Sequence, residues 1–120
     1  MIRGTQSTFA VLDFEGALAR LGGDRKLYID LIGFLLDDLP PLFSALRLAI
    51  IENDAASIRD KAHAIKGLVA GCGGVRASET AQAIENAGRE GEVALAADHV
   101  KMLEHELQLL TAELRTFKQQ

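Results

Sequence analysis

One apolar stripe in the last quarter of the chain constrains the fold more than any other feature. Its members are separated by alternating steps of three and four: Val93, Ala96, Val100, Leu103, Leu107, Leu110, Leu114 and Phe117. This spacing puts every member on one face of an α-helix. No proline or glycine interrupts the segment after Gly91. The pattern therefore predicts a long helix that packs this face against neighbouring helices.

Three further stripes with the same spacing lie upstream. They comprise Tyr28, Leu31, Leu35, Leu39, Leu42, Leu46 and Ala49; then Ile58, Ala62, Ile65, Val69 and Cys72; then Ala77, Ala81, Ile84 and Gly88. The pair Pro40-Pro41 falls inside the first stripe, but the stripe keeps its phase across the pair, which predicts a kinked helix or two helices in line. Asp24 is the expected N-cap of the first helix, and Asn53 or Asp54 that of the second.

These stripes predict an all-α fold. Four main helices joined by short turns favour an up-down-up-down antiparallel four-helix bundle. A short additional N-terminal helix is expected between Asp13, as its N-cap, and Leu21, because Gly22 follows. We therefore expect residues 1–12 to be an N-terminal tail and lead-in, and residues 13–120 to form the bundle domain.

Composition excludes several classes of protein. The 120 residues carry a formal charge of −4, whereas a nucleic-acid-binding protein normally shows a basic excess. A single cysteine, Cys72, cannot form an internal disulfide. No apolar run approaches the roughly 20 residues of a membrane span, and the N-terminus resembles no signal peptide. We expect a cytoplasmic protein that binds neither nucleic acid nor membrane; the initial methionine favours a freestanding protein over an excised domain.

The segment from Ala62 to Gly74 carries the candidate chemistry. At about 100° per residue, His63 points about 140° away from Ile58 and so lies outside the buried stripe. Lys66 lies on the same flank, and Gly67 follows His63 by one helical turn. The sequence thus predicts an exposed histidine with a cation beside it and no side chain covering it.

These residue types suit phosphoryl transfer. A neutral imidazole is a good nucleophile near neutral pH, and a lysine offsets the negative charge of a transferred phosphoryl group. Glycine inside a helix costs roughly 0.5–1 kcal/mol of stability relative to alanine. We therefore expect Gly67 to be present either because it lets a partner protein reach His63 or because it allows close helix packing. The alternative is that His63 is an ordinary surface residue and Gly67 only a weak point of the helix.

The segment resembles the histidine-containing phosphotransfer (HPt) domain of two-component phosphorelays. The resemblance rests on His63, an aliphatic residue at Ile65, the pair Lys66-Gly67, and Gly73. Further matching stretches are Leu18-x-x-Leu21-Gly22-Gly23-Asp24, Leu35-x-x-Asp38-Leu39-Pro40-x-Leu42 and Ala81-x-x-Ile84-Glu85. The chain departs from the family pattern at Leu68, where many relatives carry a small residue.

The resemblance implies a phosphocarrier. His63 would accept a phosphoryl group from the aspartyl phosphate of a receiver domain, or from a sensor or hybrid histidine kinase, and pass it to a response-regulator aspartate. Lys66 would assist electrostatically and Gly67 would give access. Some relatives orient the reactive imidazole with a side chain 22 residues later, which is Glu85 here. The protein is expected to be a monomer without a cofactor, with any Mg²⁺ held by the receiver.

Two other interpretations were open at the level of sequence. A metal site would need inward-pointing ligands, for which His99, His105, Glu104 and Glu106 are the candidates, but His99 and His105 lie about 240° apart on a helix. A non-catalytic interaction module would dock a receiver or kinase domain through Leu68 and through Phe9, Val11 and Leu12. No glycine-rich phosphate loop or nucleotide fingerprint is present, so we expect no ATP binding and no kinase activity.

Overall fold

The computed structural model describes residues 10–118, and over this range the regular secondary structure is entirely α-helical. Its five helices are α1 (Phe14–Arg20), α2 (Arg25–Ile51), α3 (Ala55–Gly71), α4 (Val75–Arg89) and α5 (Val93–Lys118). The predicted all-α class is confirmed, and α1 ends one residue earlier than expected. No helix in this range combines the length and apolar character that crossing a membrane requires.

Aspartate side chains begin three of the five helices. Asp13, Asp24 and Asp54 each accept a hydrogen bond from the backbone N–H three residues later, at 3.0–3.1 Å. Each cap satisfies an N–H group that has no partner inside its helix and contributes about 1 kcal/mol. The predicted caps at Asp13 and Asp24 are confirmed, and Asp54 rather than Asn53 caps α3.

Helix α2 continues through Pro40 and Pro41 without a break in its helical assignment. Prolines remove backbone donors, but the buried face stays in phase on both sides of them, at Leu39 and Leu46. The structure thus selects one helix over two helices in line. Ile32 is fully buried where the stripe placed Leu31, because both residues are apolar and lie near the buried face, so the helices packed against α2 decide which of them enters the core.

The four long helices contact one another in a closed ring. α2 packs against α3 and α5, and α4 packs against α3 and α5, while α1 packs on α2. Residues 52–54, 72–74 and 90–92 are the connections between consecutive long helices. Such a ring is typical of a four-helix bundle, and the antiparallel up-down-up-down order stays a prediction from the short connections. The extent of the domain over residues 13–120 likewise stays a prediction.

Helices α3 and α4 approach each other most closely at Gly88. A Cβ atom added there would lie 2.8 Å from the backbone nitrogen of Arg59 and 3.0 Å from the carbonyl oxygen of Ala55. Ala77, Ala81 and Gly88, which the sequence placed in the apolar stripe of this helix, are all buried. Small residues therefore let the two backbones meet, and the meeting sets which α4 side chains lie opposite those of α3.

The C-terminal end of α3 is held by donors from three other parts of the chain. The Asp13 backbone N–H donates to the Gly73 carbonyl at 2.8 Å, and the Arg20 guanidinium donates to the Ala70 carbonyl at 3.2 Å. The buried Tyr28 hydroxyl donates to the Cys72 carbonyl at 2.8 Å. Carbonyls at a helix end lack partners within the helix. These bonds therefore fix α1 and α2 against the end of α3.

Tyr28 is expected to titrate only in strongly alkaline solution. Burial raises the pKa of Tyr28 to about 12, with smaller contributions from Cys72 and Asp13. The folded-state pKa lies above the ordinary value of 10, so the protonated hydroxyl of Tyr28 stabilises the folded protein. This contribution to the free energy of unfolding is complete below pH 10 and is lost as the pH rises through about 12. The chain has one tyrosine and no tryptophan, so tyrosinate absorbance reports on Tyr28 alone. A midpoint near 10 in the folded protein would contradict the buried hydrogen bond.

Candidate functional site

His63 lies on α3 with 67% of its side chain exposed, outside the buried stripe as the sequence predicted. Gly67, one turn later, faces open space: a Cβ atom added there would meet no atom of another element within 4 Å. No Gly67 side chain therefore covers the ring, and one edge of the imidazole faces solvent. A second protein can reach that edge along the surface of α3.

Glu85 of α4 meets the other edge of the ring. Its Oε2 lies 3.2 Å from His63 Nδ1, and only 8% of its side chain is exposed. An ionised carboxylate only accepts hydrogen bonds, so the neutral ring presents its Nδ1–H to Glu85 and keeps the lone pair on Nε2. The structure brings these two residues together at the edge of the helix pair, in the arrangement that the resemblance implied for Glu85. Glu85 is therefore not an ordinary solvated surface carboxylate.

Lys66 faces Glu85 as well as solvent. Its Nζ lies 2.9 Å from Glu85 Oε1 and donates to Gln82 Oε1 at 2.8 Å, with 25% of the side chain exposed. The sequence predicted a cation beside His63 but not its partners. In the resting protein this ammonium group therefore holds the carboxylate in place, in addition to contributing positive charge near the ring.

A closed ring of polar contacts surrounds the Glu85 carboxylate. Arg89 donates to Glu85 Oε2 at 3.1 Å and to Asn86 Oδ1 at 2.8 Å. Gln82 Nε2 donates to the same Asn86 oxygen at 3.0 Å, and Gln82 also accepts from Lys66. The sequence reasoning missed Gln82, Asn86 and Arg89. Spacings of three and four on one helix are the signal that would have found them: Gln82 and Arg89 lie −3 and +4 from Glu85, and Asn86 lies +4 from Gln82 and −3 from Arg89.

The surrounding donors keep Glu85 ionised. The Lys66 ammonium group, 2.9 Å from Glu85 Oε1, is the main cause of a pKa below the ordinary carboxyl value, and the contact with His63 acts in the same direction. Burial opposes them by raising the pKa. Because the net change is downward, Glu85 is a carboxylate at neutral pH and is ready to accept the Nδ1 proton of the imidazole.

The structure does not assemble the alternative metal site. Within residues 10–118, no three histidine, cysteine or acidic side chains come together as metal ligands. Glu106 is buried, but its carboxylate accepts a hydrogen bond from Thr80 and faces Arg76 at 3.7 Å. Glu104 pairs with Arg47 across α2 and α5 at 3.4 Å. The candidate acidic ligands are therefore engaged within the bundle.

The residues predicted for an apolar docking patch are only partly available. Val11, Leu12 and Leu68 are partly buried and pack against the core. Phe9 lies outside the residues that the structure describes. Cys72 is buried at 2% exposure, as its place on the seam predicted. The apolar side chains of Val11, Leu12 and Leu68 therefore offer only part of their surface to a partner.

Comparisons with known proteins identify the family and the fold of this chain. The family model of the Hpt domain matches residues 30–116, which include all four predicted site residues. The solved structure of histidine-containing phosphotransfer protein B (HptB) from Pseudomonas aeruginosa PAO1 superimposes with a TM-score of 0.85 at 21% sequence identity. That match covers 93% of this chain and 97% of the other chain, so the two share a fold. No curated protein matches the sequence.

Proposed function

The chain belongs to the Hpt domain family, and from this premise we propose that it carries a phosphoryl group on His63 between the proteins of a two-component phosphorelay. The donor is the aspartyl phosphate of a receiver domain, or a sensor or hybrid histidine kinase. The acceptor is the aspartate of a response regulator. The observation that carries the proposal is the 3.2 Å contact between His63 Nδ1 and the buried Glu85, which leaves Nε2 as the nucleophile.

The transfer step follows from this contact. The Nε2 lone pair of His63 attacks the phosphorus of the aspartyl phosphate as the phosphorus–oxygen bond to the aspartate breaks, and the carboxylate leaves with the bonding pair. The ring then bears positive charge, which the Glu85 carboxylate stabilises through the Nδ1–H. Attack by the aspartate of a second receiver reverses the step and restores the neutral ring.

Lys66 and Gly67 have separate roles in this proposal. Lys66 holds Glu85 through its 2.9 Å ion pair, and its partly exposed ammonium group offsets the charge of the incoming phosphoryl group. Gly67 leaves the surface of α3 bare one turn beyond His63, where a receiver must approach for in-line attack. Both are therefore assigned to the transfer reaction, with Glu85 as the residue that orients the ring.

The receiver supplies what this surface does not offer. We assign any Mg²⁺ to the acidic pocket of the receiver, because the one carboxylate in contact with His63 is already paired with Lys66 and Arg89. In this proposal the chain is a phosphocarrier and not a kinase. Its monomeric state, its cytoplasmic location and the lack of nucleic-acid and membrane partners stay predictions from the sequence.

The proposal is tested by incubating the protein with a receiver domain that carries labelled phosphate. Label is expected to move to this chain as an adduct that is stable in alkali and labile in acid. The alternative of a non-catalytic docking module predicts binding to the receiver without label on the chain. A binding measurement in the same samples therefore separates the two functions.

Gly67→Gln is expected to slow transfer from the receiver by at least about tenfold, because the new side chain occupies the approach beside His63. Gly67→Ala adds one carbon into open space and is the control at the same position. Ala56→Gln, at an exposed position near the start of α3, controls for a glutamine elsewhere on the helix. Single-turnover transfer rates make the comparison, and equal rates for Gly67→Gln and Gly67→Ala would remove the access role.

A further inference from the structure

Arg89 and His63 contact the same oxygen of the same buried carboxylate. Arg89 Nη2 lies 3.1 Å from Glu85 Oε2, and His63 Nδ1 lies 3.2 Å from it. The other oxygen, Oε1, faces Lys66 at 2.9 Å. The single negative charge of Glu85 is therefore divided among two cations and the imidazole. Neither the resemblance nor the predicted site residues include Arg89.

We propose that Arg89 is a positioning residue that holds the Glu85 carboxylate against His63 and limits how much of its negative charge reaches the ring. The proposal deepens the phosphocarrier function and rests on it. Arg89 is not expected to touch the phosphoryl group. Its effect reaches the nucleophile through Glu85 Oε2.

The position of the Arg89 guanidinium is defined by two acceptors. Its Nη1 donates to Asn86 Oδ1 at 2.8 Å, while its Nη2 donates to Glu85. Asn86 is itself held by Gln82, whose amide donates to the same oxygen. The guanidinium is a planar fork, so two fixed acceptors set its orientation. About half of the Arg89 side chain is exposed, so its replacement is expected to leave the core intact.

A positive group at this place opposes protonation of the ring. Arg89 and the imidazole lie within about 6 Å of each other, because both contact one oxygen, and a like charge at that range disfavours a second positive charge. Arg89 also occupies part of the acceptor capacity of Oε2 that would otherwise stabilise an imidazolium. Removal of Arg89 is therefore expected to favour the protonated ring, in which Nε2 is no longer a nucleophile.

The other charged groups near His63 contact Glu85 or pair with each other. On α3, Lys66 acts on Glu85 in the same sense as Arg89, and Arg59 and Asp60, about one turn earlier, pair with each other at 3.3 Å. On α4, Glu85 and Arg89 form the contacts described above. In the part of the chain that the structure describes, α2 and α5 also contact α3 but contribute no ion pair or side-chain hydrogen bond to His63, Glu85 or Arg89.

Arg89→Gln tests the proposal through the pH dependence of His63. Loss of the positive charge beside Glu85 Oε2 is expected to give the His63 ring a higher NMR titration midpoint in the variant than in the wild type. The acid limb of the transfer rate is expected to move to higher pH by the same amount, so the loss is several-fold near pH 6 and shrinks as the pH rises. Arg89→Lys keeps the positive charge and is expected to restore much of the wild-type profile.

Arg47→Gln is the matched control. Arg47 is 57% exposed and pairs with a carboxylate of another helix, Glu104, away from His63. Its replacement is expected to leave the midpoint unchanged. An Arg89→Gln midpoint equal to that of the wild type, or a loss of transfer equal at every pH, would overturn the proposal. The NMR titration needs no phosphate donor, so it decides the role of Arg89 even if the phosphocarrier function fails its own test.

Discussion

The His63→Gln variant is expected to accept no phosphoryl group from a phosphorylated receiver, whereas the wild-type protein becomes labelled. A glutamine amide has no ring nitrogen with a free lone pair, so the nucleophile is lost while the side chain stays polar. His63 is 67% exposed, so we expect the free energy of unfolding to change by less than about 0.5 kcal/mol. The measurement is transfer of label in a single turnover, with circular dichroism as the check on folding.

His105→Gln is the matched control for that experiment. His105 is also an exposed histidine on a helix, but it lies on α5 and makes none of the polar contacts that surround the Glu85 carboxylate. Its replacement is expected to leave transfer unchanged. Label on the His63→Gln variant, or loss of label from the His105→Gln variant, would show that His63 is not the acceptor.

Gly88→Ala is expected to destabilise the protein by about 1–3 kcal/mol. The added Cβ would lie 2.8 Å from the Arg59 nitrogen and 3.0 Å from the Ala55 carbonyl oxygen, so backbone atoms of α3 must move. This cost exceeds the gain of up to about 1 kcal/mol that alanine normally brings to a helix. Because Glu85 lies one turn before Gly88, we also expect slower phosphotransfer. Urea unfolding measures the loss of stability.

Gly67→Ala provides the opposite case on the partner helix. A Cβ atom there meets nothing within 4 Å, so only the helix propensity changes and the protein is expected to gain roughly 0.5–1 kcal/mol. The two glycines therefore predict changes of opposite sign from the same substitution. Equal stability of Gly88→Ala and the wild type would contradict the close packing of α3 and α4 at this point.

The helices were predictable because their signals are local. Every residue of the predicted apolar stripe from Ala96 to Phe117 is buried in α5, since the spacing of apolar residues depends only on helical geometry. The caps at Asp13 and Asp24 are local in the same way. The burial of Ile32 was not predicted, because which of two adjacent apolar residues faces the core depends on the neighbours of α2 and not on its own period.

The site was predictable only in part, because half of it depends on the register between two helices. His63 and Glu85 each directly follow a residue of a buried apolar stripe, so both lie at the edge of their helix's buried face. Their contact was therefore predictable from the sequence. The contacts of Lys66 with Gln82 and Glu85 require knowing how far α4 is shifted along α3, whereas the contact of Arg89 with Glu85 lies within α4 and follows from a spacing of four residues. Packing at Gly88 sets that register, and no local pattern encodes it.

The contact between the buried Glu106 and Thr80 likewise could not be predicted from the sequence. A glutamate on α5 was a candidate metal ligand by its type, yet in the structure the Thr80 hydroxyl of α4 donates to it and Arg76 lies nearby. Its burial follows from these partners, because a buried carboxylate needs hydrogen bonds. The sequence shows the residue type but not the partner that another helix brings to it.

The nitrogen that carries the phosphoryl group tests the central claim most directly. Phosphorylated protein labelled with ¹⁵N can be examined by ³¹P and ¹⁵N NMR, with the His63→Gln and His105→Gln variants identifying the residue. The contact between Nδ1 and Glu85 predicts one phosphohistidine, at His63, with phosphorus bonded to Nε2. Phosphorus bonded to Nδ1, or to a residue other than His63, would contradict the account.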